Sequence, residues 1–274
     1  MGVNDQRMRW QSWLVLAAVL PWCAIASLRY AMATWNGVTR TALAISLGLA
    51  LLVLLARAAT PLAALTGGVI TAALTLGQSS WYRSALPALL ALFVLTWTAT
   101  RFGRGQKQRL GVAEDKRGRN AAQVAANLGV AGLAAAVALN HRLPGTWYAV
   151  VVVAALAEAT ADTLASELGE VLGGPPLLIT SLRRVAPGTD GAISLAGTLA
   201  GTSGAVVVVM VAISTFGLQR GDALTAGLGA VAGLFVDSLL GATAERRGWL
   251  NNDAVNFLST LAASAIATAA WALR

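Results

Sequence analysis

Apolar residues run along this chain in long blocks, separated by short polar breaks. The blocks fall near or above the ~18 residues that mark a membrane-spanning helix. They cover residues 11–28, 41–56, 61–77, 84–100, 120–140, 147–172, 192–216, 223–242 and 254–272. This pattern predicts an all-α, polytopic transmembrane helical bundle of about nine spans, with residues 1–274 forming one integral membrane domain. Pro61 and Pro144 stand just before the third and sixth blocks, where proline is tolerated. The third block carries Gly67-Gly68 and several threonines, which predicts a short or re-entrant segment. The first block has a signal-peptide outline, but its apolar character continues toward Met32, so it reads as an uncleaved span.

Composition agrees with the pattern. The chain is 57% hydrophobic and 12% charged, about half the charge of a soluble domain. Its net charge of +8 follows from topology and does not indicate nucleic acid. With the N-terminus in the cytoplasm and the spans alternating, fourteen of the 20 Lys and Arg residues fall on the cytoplasmic side. A bacterial inner membrane is the expected setting. Cys23 excludes an intrachain disulfide, and His141, the one histidine, lies in a loop.

The polar positions inside this apolar background are unevenly spread. Residues 1–100 hold almost no ionisable group away from span ends and read as scaffold. A basic loop follows at 101–119, and then Asn120, Gln123 and Asn127 share one helix face. Such a stripe serves either a site or hydrogen bonding between helices. In the sixth block Glu158, Asp162, Ser166 and Gly169 share a face, while Glu167 stands about 140° from Asp162. Asp237 repeats the Asp-Ser/Thr-Leu pattern in the eighth block. Arginine pairs follow at Arg183-Arg184 and Arg246-Arg247, and the last block opens with Asn252 and Asn256 on one face. Carboxylates at membrane depth are costly and by default functional.

These groups suit phosphate chemistry. Asp162 and Asp237, with Glu167 third, are candidate Mg²⁺ ligands, because the donors are oxygens and no His/Cys set exists. Gly188-Thr189-Asp190-Gly191 precedes a helix start near Ser194, where free N–H groups can cradle phosphate. Asp190 reads as a helix cap or as a metal or ribose contact. Lys116, Arg119, Arg183 and Arg184 can neutralise phosphate. No phosphate-binding Gly-x-x-x-x-Gly-Lys loop is present, and the glycines at 227–233 and 197–201 read as close helix packing.

Five blocks in order, covering about 116–260, carry a resemblance. They are Lys116-x-Gly-Arg119-Asn120-x-x-Gln123-Val-x-Ala-Asn127, Ala161-Asp162-Thr-Leu-Ala-Ser-Glu167-Leu-Gly169, Pro187-Gly-Thr-x-Gly191-x-x-Ser194-x-x-Gly197, Asp237-Ser238-x-x-Gly241 and Asn251-Asn252-x-x-Val-Asn256. Together they resemble the integral-membrane phytyl-phosphate kinases of vitamin E biosynthesis, and more distantly CTP-dependent polyprenol kinases and CDP-diacylglycerol synthases. The resemblance implies a catalytic core at 116–260, CTP or another nucleoside triphosphate as donor, Mg²⁺, and an isoprenyl (phytyl-like) monophosphate as acceptor at the cytoplasmic face. Asp162, Glu167 and Asp237 would be catalytic. Two other readings stay open: an ion-coupled membrane transporter, and a lipid-phosphate cytidylyltransferase.

Overall fold

The computed structural model describes residues 9–111, 118–141 and 145–274. Ten α-helices are found there: α1 (Arg9–Ala33), α2 (Gly37–Leu55), α3 (Pro61–Thr75), α4 (Leu86–Arg101), α5 (Arg104–Leu110), α6 (Ala121–Asn140), α7 (Gly145–Leu172), α8 (Leu195–Phe216), α9 (Arg220–Leu240) and α10 (Asn252–Ala272). Each of the nine expected spans coincides with one helix. Seven are long and apolar enough to cross a membrane, and α4 with α5 makes an eighth if the pair, bent by 59°, is one span.

The third expected span ends at Thr75 and has only 15 helical residues. It nevertheless runs the length of the bundle instead of turning back. Thr60 N–H donates to the Arg119 carbonyl at 3.0 Å, which ties the start of α3 to the start of α6. Gly77, just past its end, lies against Leu139 near the end of α6.

α7 is the central pillar: 83% of its apolar window is buried, against 17% for α2. Its run from Val150 to Ala157 is apolar all round and fully enclosed. α4, α6, α8, α9 and α10 surround it, α1 and α3 pack on α6, and α2 leans on α3 at the outside. The packing inverts the rule for soluble cores. Leu47, Leu51, Leu199, Met210, Leu224 and Leu228 face outward, whereas alanine, glycine and valine fill the interior. Lipid is as apolar as leucine, so helices here gain by close approach of small residues.

Gly197, Gly201, Gly229 and Gly233 confirm that reading, and Gly227 is the exception. A Cβ on Gly201 would stand 2.5 Å from the Ala161 carbonyl oxygen, and one on Gly233 would stand 2.7 Å from Ala263 Cβ. Gly201→Val therefore lowers stability by about 1–3 kcal/mol through overpacking. Gly227, whose Cβ would meet only Val209 Cγ2 at 3.9 Å, tolerates alanine. Thermal unfolding of both variants in detergent checks the contrast.

The polar breaks collect at one end of the bundle. Gln11 and Ser12 of α1 clasp the segment before α10: Gln11 Nε2 donates to the Trp249 carbonyl at 2.8 Å, and Asn251 Nδ2 donates to Ser12 Oγ at 2.9 Å. The breaks at 101–104, 118–120 and 173–194 meet at the same end. At the opposite end Arg274 pairs with Asp222 at 3.1 Å.

Candidate functional site

α7 brings Asp162 to the polar end, and α9, running parallel to it, brings Asp237 to the same depth. A cavity of about 330 Å³ opens between them, α6, α8 and α10. Asp162, Glu167, Asp237, Arg119, Gln123, Asn127, Ser166, Ser194, Asn252 and Asn256 line it, and so does the whole Gly188-Thr189-Asp190-Gly191 turn. Fourteen of the expected residues thus meet in one pocket, although Asp162 and Asp237 are 75 positions apart in sequence.

The Asp162 and Asp237 carboxylates stand next to each other in this cavity. Asp237 also feels the charges of Asp162, Glu158 and Glu245, and Ser259 faces both Glu158 and Asp237. Glu158 lies one helical turn beyond Asp162, 1% exposed. Two buried carboxylate atoms, Glu158 Oε1 and Asp237 Oδ1, have no hydrogen-bond partner among the described residues. Arg119 is the one basic side chain lining this cavity among the described residues, and it acts on Asp162.

The expected trio of metal ligands does not assemble. No group of three His, Cys, Asp or Glu residues is placed to hold an ion among the described residues. Glu167 instead makes an ion pair with Lys107, whose ammonium also donates to the Ala99 carbonyl at 2.9 Å and the Thr100 carbonyl at 3.4 Å. Lys107 belonged to the basic loop in the sequence reading, yet it is 1% exposed. The 59° bend from α4 to α5 turns it back onto α7. Burial of this ammonium requires a carboxylate at that depth, and Glu167 supplies it. That leaves the Asp162–Asp237 pair.

Three other expected residues take different places. Asn120 caps α6, accepting from Gln123 N–H at 3.0 Å, while Gln123 Oε1 accepts from Asn120 N–H at 2.8 Å. This reciprocal box satisfies two helix-end donors, and Asn120 does not line the cavity. Arg183 and Arg184 are exposed and also stand outside it. Their backbone supports a small antiparallel pair, β1 (Leu177–Leu178) with β2 (Ala192–Ile193): Leu178 N–H donates to the Arg183 carbonyl at 2.9 Å. Lys116 lies outside the described residues.

The glycine turn is set by backbone contact. Gly191 has φ +72, a left-handed conformation that favours glycine. A side chain there would run into Ala242, and one on Gly241 would stand 2.7 Å from Gly191 N. The turn therefore docks on a π-helical turn, Gly241–Glu245, that continues α9. Irregular turns of this kind are frequent at functional sites. Partial burial lifts the Asp190 pKa above the ordinary carboxylate value, and Arg246 opposes that shift. Ser194 caps α8 by accepting from Gly197 N–H at 3.1 Å, so the N-terminus of α8 opens on the cavity.

Glu245, Glu170 and Thr198 also line the pocket and were not anticipated. Glu245 sits beside Arg246-Arg247 and reads as a loop charge in sequence; the π turn carries it inward. Glu158 was visible as an acid on the face of Asp162.

The profile of the integral membrane protein family DUF92 covers residues 44–264, which include every described lining residue of the acidic cavity. An uncharacterised membrane protein of Methanocaldococcus jannaschii is 36% identical over 173 residues, 63% of this chain and 70% of that protein. One from a Synechocystis strain is 32% identical over 182 residues, 65% of this chain and 70% of its own length. Protein VTE6 of Arabidopsis thaliana, chloroplastic, is 30% identical over 213 residues, 74% of this chain and 64% of its own length. No solved structure matches the chain. With 221 of its residues under that profile, the chain belongs to the DUF92 family of integral membrane proteins.

Proposed function

We propose that this protein is a membrane kinase that transfers a phosphoryl group from CTP, or another nucleoside triphosphate, to an isoprenyl monophosphate. The observation that carries the reading is the buried Asp162–Asp237 pair lining a pocket with a glycine turn, a helix N-terminus and, among the described residues, one arginine. The likeness of the five sequence blocks to phytyl-phosphate kinases, and the 30% identity to the chloroplastic VTE6, support it.

Electrostatics decides what the pocket needs. Among the described residues its acids outnumber its one basic side chain, so a bare triphosphate would be repelled. Hard oxygen donors and the orphaned Asp237 Oδ1 fit a divalent cation. Asp162 and Asp237 would hold Mg²⁺, which when bound supplies neutralisation of the donor phosphates. Arg119, the amides of the Gly188–Gly191 turn and the N-terminus of α8 then position phosphate oxygens. An oxygen of the acceptor phosphate attacks the γ-phosphorus. The bond from that phosphorus to the β–γ bridging oxygen breaks, and the nucleoside diphosphate leaves with the electron pair. The attacking oxygen is already ionised, so no general base is required. Asn252 and Asn256 offer contacts to the nucleoside, and the arginine-rich end of the bundle faces the cytoplasm, where nucleotides are.

Purified protein should show joint stabilisation. CTP with Mg²⁺ at about a hundredfold above its dissociation constant raises stability by roughly 2.7 kcal/mol, and removing the metal with EDTA abolishes the gain. Thermal unfolding measures this. Stabilisation by Na⁺ or H⁺ gradients with none by nucleotide would favour a transporter.

A further inference from the structure

A second cavity lies in the part of the chain that reads as scaffold. It is a groove of about 240 Å³ between α2, α3, α4 and α6. Its walls are apolar: Leu49, Val53, Leu89, Phe93 and Leu128 contribute. Three threonines line it too, and two of them, Thr71 and Thr96, spend their hydroxyls on the Gly67 and Phe93 carbonyls of their own helices. From Leu89 to Arg101 the groove follows α4 for roughly 18 Å, more than half of a bilayer's ~30 Å hydrocarbon thickness.

Its polar end is basic. Arg57, Arg101, Arg104 and Arg119 stand there. Arg57, Arg101 and Arg104 have no carboxylate partner among the described residues. Arg101 lies over the Trp97 ring at 4.0 Å. Arg57 holds φ +52, a backbone conformation that usually selects glycine, so an arginine is kept there against local preference. The decisive feature is continuity. Arg119 and Asn127 line both this groove and the acidic cavity. An anionic head at Arg119 would thus sit at the junction, with its tail in the groove.

We infer that this groove is the acceptor site: it takes the hydrocarbon tail of a single-chain lipid monophosphate and presents the phosphate, through the arginine rim and Arg119, to the Asp162–Asp237 pocket. The inference rests on the kinase reading for the acceptor's role. The rim supplies the charge complement of a phosphate dianion. The groove supplies a wall matched to one unbranched or isoprenoid tail. Helices α2, α3 and α4, poor in chemistry, gain a role as the tail's binding wall.

The test uses full-length protein in nanodiscs, without nucleotide, and a farnesyl monophosphate carrying a terminal diazirine. Photolabelling should place adducts on α3 and α4, at or beside Leu89 and Phe93, and unlabelled farnesyl monophosphate should compete. Gly67 lines the groove, and a Cβ there would meet only Val124 Cγ1 at 3.8 Å. Gly67→Trp should therefore weaken farnesyl monophosphate binding at least tenfold more than binding of dimethylallyl monophosphate. Labels confined to the lipid-facing Met210 and Leu224, or equal losses for both tail lengths, would overturn the inference. So would displacement of the label by excess phosphatidylglycerol but not by farnesyl monophosphate, which would make the groove a bulk-lipid site. Groove labelling with no transfer from any nucleotide would sink the kinase reading and leave the lipid-phosphate site standing. Transfer without groove labelling would do the reverse.

Discussion

Asp162→Asn and Asp237→Asn are each expected to lower phosphoryl transfer by about a hundred- to a thousandfold while the protein stays folded. The magnitude is that of losing one preorganised electrostatic contact to a transferring group. The direction of the stability change separates this from ordinary damage. In the absence of metal, Asp162 and Asp237 sit in contact, with Glu158 and Glu245 close enough to add repulsion. Replacing one carboxylate by an amide removes like charge from a low-dielectric site, so the metal-free variant holds its thermal midpoint or gains slightly. Mg²⁺ with nucleotide should stabilise the parent and neither variant. Unfolding curves with and without Mg²⁺, run beside a transfer assay, check both halves. Variants that lose the fold along with activity would make the pair structural.

Lys107→Met is expected to be the most destabilising single change to a charged residue. The lysine side chain is 2% exposed and its Glu167 partner 11%. Removing the cation leaves Glu167 buried without its counter-charge, at a cost of about 3–5 kcal/mol. The double variant Lys107→Met, Glu167→Gln should recover most of that loss, because the pair's own desolvation is then avoided as well. Thermal unfolding of the parent, both single variants and the double variant closes the cycle. If the pair is only a brace, the double variant recovers transfer as well as stability. If Glu167 acts on substrate, stability returns and transfer does not.

The nine apolar blocks located the helices to within a few residues, because span length is dictated by membrane thickness. The candidate site was legible for the same reason: a carboxylate in an apolar block has so few structural excuses that Asp162 and Asp237 stood out without any contact map. Three things were hidden. Lys107 sat among loop arginines, and nothing local announces that a bend between α4 and α5 returns it to Glu167, 60 positions on. The groove was hidden because inward and outward faces of a membrane helix are both apolar, so periodicity cannot separate a lipid-facing wall from a cavity wall. Asn120 was read as site polarity, yet it is a helix cap, accepting from Gln123 N–H. Its cap signature was present, an Asn just ahead of an apolar helix, but it competed with a motif match that fitted the same letter.

The central claim is that the acidic pocket moves a γ-phosphoryl group onto a lipid monophosphate. The most direct measurement follows the label from γ-³²P-CTP and, in parallel, α-³²P-CTP, with farnesyl monophosphate, Mg²⁺ and purified protein. The account predicts γ-label in farnesyl diphosphate and α-label retained in CDP, both lost in Asp237→Asn. Label from the α position in the lipid with release of pyrophosphate, or γ-transfer undiminished in Asp237→Asn, would contradict it.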